Sequence, residues 1–180
     1  MFLIENSSGL RFVFFLLWGL LVAERVENTF RNPGNLSKKP VKIYHRKFFF
    51  LLLASYLGIV LLSGIIFVRA GQVNLLMSAV GALILIFGVF LRRAAIKTLG
   101  EYWSVFIEIK AKQKRIKKGV YRYLKHPYYT AVVLELGGFA LLCNAYLSFW
   151  IILGLQIPLL LVRVHYENRV LDVYGRRLGF

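Results

Sequence analysis

The chain has 180 residues, of which 58% are hydrophobic, and a formal net charge of +16. A soluble domain of this length has no interior large enough for so much apolar side chain, so lipid is expected to solvate part of its surface. The lone cysteine, Cys143, leaves neither a disulfide nor a cysteine-based metal set.

Apolar runs fall at residues 10–23, 48–68, 73–91, 129–143 and 145–162. The second and third are long enough to cross a bilayer, which takes about 20 residues. The first is short, but residues 1–4 extend it if Glu5 snorkels. Residues 1–4 have no basic leader and no small-x-small cleavage site follows the first run, so no removable signal peptide is expected. Only Asn144 separates the last two runs, which read as a tight helical hairpin whose packing is eased by Gly137 and Gly138. The fold class expected is an all-α integral membrane protein of about five transmembrane helices.

The charge follows this layout. All but Arg11 and Arg69 of the 24 lysines and arginines lie between the first and second runs, between the third and fourth, or from Arg163 onward. Five alternating spans bring these three segments to one face, which the positive-inside rule makes cytoplasmic. Topology absorbs the charge, and no nucleic-acid partner is needed, because the basic residues track span ends instead of forming one recognition element.

Between the runs, "RNPGNLSKKP" at residues 31–40 is a turn-rich loop. "RRAAIKTLGEYWSV" continues the third helix out of the membrane to a stop near Gly100, and "FIEI" reads as a short extended piece. "GVYRYLKHPYY", residues 119–129, follows. Gly119 breaks any helix, and Pro127 biases His126 away from helical dihedrals while opening the fourth helix at its first turn. The unpaired N–H groups of that helix suit an anionic group, Tyr121, Tyr123, Tyr128 and Tyr129 offer faces and hydroxyls, and His126 donates or accepts near neutral pH. Two readings stand: a site for an amphiphilic, aromatic, zwitterionic ligand, or an interfacial belt of tyrosine and lysine at a span end.

Arg163 and Glu167 are four residues apart and share a helix face, either as part of a site or as a surface ion pair. Glu135 lies about two turns into an apolar helix, where a carboxylate is costly and needs a partner; His126 and Arg163 are the candidates.

"LRRAAIKTLGEYWSV", "KKGVYRYLKHPYYTAVVLE" and "RVHYENRVLDVYG" together resemble the isoprenylcysteine carboxyl methyltransferases and their bacterial relatives, over roughly residues 91–175. The resemblance implies a single structural domain in which residues 1–90 supply N-terminal membrane spans. Residues 91–180 then form the methyltransferase-like region of cofactor segment, helical hairpin and C-terminal helix. It implies S-adenosylmethionine as cofactor without a Rossmann domain, and a pocket facing the cytoplasm, with the bacterial plasma membrane as location. By position it nominates Gly119, Val120, Tyr121, His126, Pro127 and Tyr129 for cofactor binding, Arg163 and Glu167 for catalysis, Glu135 as support behind them, and no metal. Lys125 stands where the family has Arg, keeping charge without the bidentate fork. Ala131 replaces a usual Gly, Asn168 replaces the second acid of a Glu-Glu pair, and the family commonly continues past the position of Phe180. "AVVLE" resembles the bacterial branch acting on lipidic polyketide hydroxyls, so the acceptor expected is an isoprenylcysteine or a lipidic polyketide, reaching the site from the bilayer. The rival readings are a sterol-type membrane reductase using NADPH and a small transporter built on Glu135.

Overall fold

The computed structural model describes residues 3–30, 40–44, 46–104, 107–110 and 116–178. It is mostly helical. Helix α1 spans Ser8–Phe30, α2 Arg46–Arg69, α3 Leu75–Leu99 and α4 Pro127–Leu142. A final continuous rod joins α5, Tyr146–Ile151, through a π turn at Ile152–Gln156 to α6, Ile157–Leu178. Among the described residues, three helical stretches are long and apolar enough to cross a membrane: Lys47–Arg69, Leu75–Tyr102 and Tyr146–Val170. The fourth run forms a helix of 16 residues, short of the usual crossing length, and α1 carries Arg11, Glu24, Arg25 and Glu27 among its 23 residues.

Residues Leu3–Glu5 do not lengthen the first helix, and residues 1 and 2 lie outside the described residues. Strand β1, Leu3–Glu5, pairs antiparallel with strand β3, Gln72–Asn74, with Ile4 opposite Val73. The short α2–α3 connection leaves an open strand edge that Leu3–Glu5 completes. Asn6 then donates through Nδ2 to the carbonyls of Phe67 (2.6 Å) and Ala70 (3.0 Å), closing the end of α2.

Asn74 caps α3, accepting from the Met77 N–H at 3.2 Å. The backbone N–H of Asn74 donates to Asn144 Oδ1 at 2.8 Å, and Asn144 Nδ2 donates to Ser78 Oγ at 2.7 Å. Asn144 itself turns the chain between α4 and α5 with φ +53°, a conformation asparagine tolerates better than most residues. The expected hairpin turn is therefore present and tied to the head of α3.

The glycines work elsewhere than expected. The close approach is between α3 and α4, where a Cβ built on Gly138 would sit 2.5 Å from the Leu85 amide nitrogen and one on Gly81 2.3 Å from that of Leu142. Gly88 repeats the contact seven residues on, with the Glu135 nitrogen at 2.9 Å. Without side chains at these points the two backbones pack almost directly, the usual means of joining helices in lipid. Gly137, by contrast, makes only an ordinary contact with the Phe149 ring at 4.0 Å. Beside this seam, Phe14, Phe67 and Phe139 pack ring on ring in the core.

Helix α3 ends at Leu99, and Gly100 takes φ +53° at its cap, as the sequence predicts. Ile107–Lys110 is an extended strand, β4, paired antiparallel with β2, Pro40–Tyr44. The loop expected at residues 31–40 lies, except for Pro40, outside the described residues. At the end of the bundle away from β1 and β3 meet the C-terminal end of α3, the start of α2, the start of α4 and the middle of α6.

Candidate functional site

The segment leading to α4 is shaped by backbone chemistry. Gly119 takes φ +53°, and a Cβ there would meet Thr98 Oγ1 at 2.8 Å, so both conformation and space call for glycine. A single 3₁₀ turn follows at Gly119–Arg122, its Val120 carbonyl accepting from the N–H groups of Tyr123 and Leu124. His126, at φ −135° and ψ 62°, is non-helical ahead of Pro127, which is buried and occupies the first turn of α4. Gly119, Val120 and Pro127 therefore set the course of the chain.

Tyr121, His126 and Tyr129 converge with α6. The Tyr129 hydroxyl accepts from Arg163 Nε at 2.9 Å and donates to Glu167 Oε2. The spacing of Arg163 and Glu167 thus serves one phenol between them. Arg163 is 7% exposed, which rules out a surface ion pair, and its guanidinium lies 5.7 Å from the Tyr129 ring centroid and 6.0 Å from that of Phe49. The His126 ring is 6.0 Å from that of Tyr129. Asn168 Nδ2 lies 3.3 Å from His126 Nε2, while Asn168 Oδ1 is buried with no hydrogen-bond partner among the described residues. Tyr121 is half-buried; burial first, then the Glu167 carboxylate and Tyr128, push its phenol well above the ordinary value, so it stays protonated. Tyr128 stacks edge-on against Tyr129 and against the buried Trp103.

Glu135 finds a different partner from those expected. Its Oε1 accepts from Arg92 Nε of α3 at 2.6 Å, and the two residues are 4% and 2% exposed. Arg92 follows the third apolar run directly and reads in sequence as the first charge outside the membrane. The helix continues to Leu99, however, and the Gly88 seam brings Arg92 to face α4. Arg92 and Gln156 are polar side chains that sequence reasoning missed, and Asn168 was noted only as a replaced acid. A single signal marks Gln156: a carboxamide in an apolar run two residues before Pro158.

A cleft of ≈ 80 Å³ opens from the Arg163–Tyr129 contact between α2, α4 and α6, lined by Phe49, Tyr56, Tyr128, Tyr129, Gln156 and Arg163 among others. Among the described residues no group of His, Cys, Asp and Glu could hold a metal ion.

The sequence model of the isoprenylcysteine carboxyl methyltransferase family matches residues 79–173, more than half of the chain, and covers the site residues on α3, α4 and α6 but not those on α2. An uncharacterized protein of Bacillus subtilis (strain 168), YpbQ, is 35% identical over 81 residues, which are 45% of this chain and 48% of that protein. The chain thus matches about half the length of this relative.

Proposed function

The chain belongs to the isoprenylcysteine carboxyl methyltransferase family, and from this premise we propose that it is an integral membrane methyltransferase, moving a methyl group from S-adenosylmethionine to an oxygen of a lipid-like acceptor. The observation that carries the reading is the Arg163–Tyr129–Glu167 chain, its arginine buried and its phenol and carboxylate half-buried, at the mouth of a cleft between apolar helices. An exposed belt of tyrosine and lysine would not bury a guanidinium against a phenol.

The residues present fit the cofactor. Asn168 Oδ1 is a buried acceptor in want of a donor, which an ammonium or an adenine amino group supplies. The Glu167 carboxylate and the faces of Tyr129 and Tyr121 suit a sulfonium cation. The N–H groups at the start of α4 suit a carboxylate, and His126 makes no side-chain cap there to compete for them. When bound, S-adenosylmethionine supplies an already activated methyl group.

What remains for the chain is to orient the acceptor and exclude water. A carboxylate acceptor is ionised at neutral pH and needs only a cation, which Arg163 provides. A phenol or enol benefits from a base, and Glu167 or His126 takes that proton. The greasy tail of the acceptor lies in the cleft facing the bilayer, and the reactive end meets the cofactor at the cytoplasmic surface. Membrane lipids surround the bundle.

Calorimetry on detergent-purified protein tests the cofactor assignment. S-adenosylmethionine should bind, His126→Ala should weaken it strongly, and Lys118→Ala, on the exposed approach to the segment, should change it little. Binding of NADPH instead would establish the reductase reading. Lipid extracts from cells with and without the gene, compared by mass spectrometry, should then differ in a species heavier by one methylene unit.

A further inference from the structure

Gln156 is a carboxamide within an apolar helix and is 1% exposed. Pro158 accounts for its backbone setting. A proline has no N–H to return to the preceding turn, and the chain widens into the π turn Ile152–Gln156, where the Ile157 N–H reaches the Ile152 carbonyl. The inward face of the rod runs through Ser148, Ile152, Gln156, Leu160 and Arg163, all buried, while Leu153, Gly154 and Leu155 are exposed. Gln156 and Arg163 are two turns apart, about 10 Å along the helix, and line the same cleft. One slot therefore has a cation and a phenol at its wet end and a carboxamide at its inner end.

The hydrogen bonds of Gln156 leave something over. Ser55 Oγ, on α2, donates to Gln156 Oε1 at 2.7 Å and also lies 3.0 Å from the Leu52 carbonyl, one proton between two acceptors. The Gln156 oxygen is thereby satisfied. Its two N–H donors have no protein partner among the described residues. Adhesion between α2 and the final rod needs the Ser55 bond alone and gives no account of the remaining N–H groups of a residue that lines the cleft.

We propose that Gln156 is a specificity-determining residue of the acceptor slot, its N–H groups binding an oxygen (keto, ether or hydroxyl) carried on the acceptor's chain about 10 Å from the oxygen that is methylated. The use of the slot rests on the methyltransferase reading; the chemistry at its inner end does not. A plain hydrocarbon chain covers the donors without replacing water, so a site built to hydrogen-bond rejects it. The acceptor class is then an oxygenated lipid with two polar points, not a bare isoprenyl or alkyl chain.

The test uses the full chain in nanodiscs and tritiated 4-dodecylphenols, one unsubstituted and the rest carrying a keto group moved one carbon at a time along the chain. Binding and methyl transfer are read separately. The wild type should bind one regioisomer about tenfold more tightly than the plain compound, the discrimination one buried hydrogen bond provides. Gln156→Met should flatten the profile and bind the plain compound at least as well as the wild type does. Ser55→Ala, which keeps the donors and removes the helix contact, should retain the peak. A flat wild-type profile overturns the proposal whatever the variants do, and so does a peak that survives Gln156→Met. Loss of the peak in Ser55→Ala alone would reduce Gln156 to helix adhesion. A binding peak without methyl transfer to any member refutes the methyltransferase reading and leaves the slot assignment standing.

Discussion

Arg163 Nε and Glu167 Oε2 meet on one hydroxyl: the first donates to Tyr129 Oη at 2.9 Å, and the second accepts from it. Four residues of helix place a cation and an anion on either side of a phenol from another helix. Each of the three orients the other two.

Removing that phenol separates orientation from charge. Tyr129→Phe keeps the ring against Arg163 and leaves both charged groups without the shared hydroxyl. Methyl transfer should fall about a hundredfold, since misoriented reactants lose much of the proximity advantage. Arg163→Lys should stay well below wild type, because an ammonium keeps charge without the planar fork. Turnover on the acceptor identified from lipid extracts, with thermal unfolding alongside, checks both. Near-normal rates in folded variants would remove this chain of groups from the mechanism.

The Arg92–Glu135 pair should show the asymmetry of buried ion pairs. Arg92→Met alone strands a carboxylate between α3 and α4, at a cost of about 3–5 kcal/mol. Adding Glu135→Leu should return most of that stability. Unfolding of the single and double variants in mixed detergent is the measurement. Equal loss in both would mean that the two residues do not depend on each other.

The glycine seam makes a steric prediction. Gly138→Leu should drive α3 and α4 apart and cost more than about 3 kcal/mol, given overlap with backbone atoms that have no freedom to yield. Gly71→Ala, with open space around it, should change stability by under about 0.5 kcal/mol. The same unfolding assay compares the two.

Topology follows from charge. Single cysteines at Lys118 and Gln72, both exposed, in a Cys143→Ala background should label from opposite sides of the membrane, Lys118 from the cytoplasm. Labelling from the same side would overturn the assignment of the three basic segments to one face.

What the sequence disclosed was local. Gly100, Gly119 and Pro127 act through their own backbone restrictions, and each stops or starts an element where expected. The four-residue spacing of Arg163 and Glu167 likewise put them on one face without knowledge of the fold. The pairings across helices were not readable in this way. Arg92 meets Glu135 across 43 residues of sequence, and the contact depends on how closely α3 and α4 approach. Leu3–Glu5 became a strand because the α2–α3 connection offers an edge, a tertiary circumstance invisible in residues 1–5. Asn168 looked like a lost acid and proved to be a neighbour of His126.

The amide of Asn144 carries a consequence for biogenesis. Its carboxamide reaches the Asn74 N–H and the Ser78 hydroxyl, and Ser78 in turn donates to the Leu142 carbonyl. A ribosome delivers α3 before this turn, so when the later helices pack onto it, the groups that satisfy their polar bend are already in place. The C-terminal half is thus assembled onto a template, and a nascent chain lacking the head of α3 would present an unpaired amide to quality control.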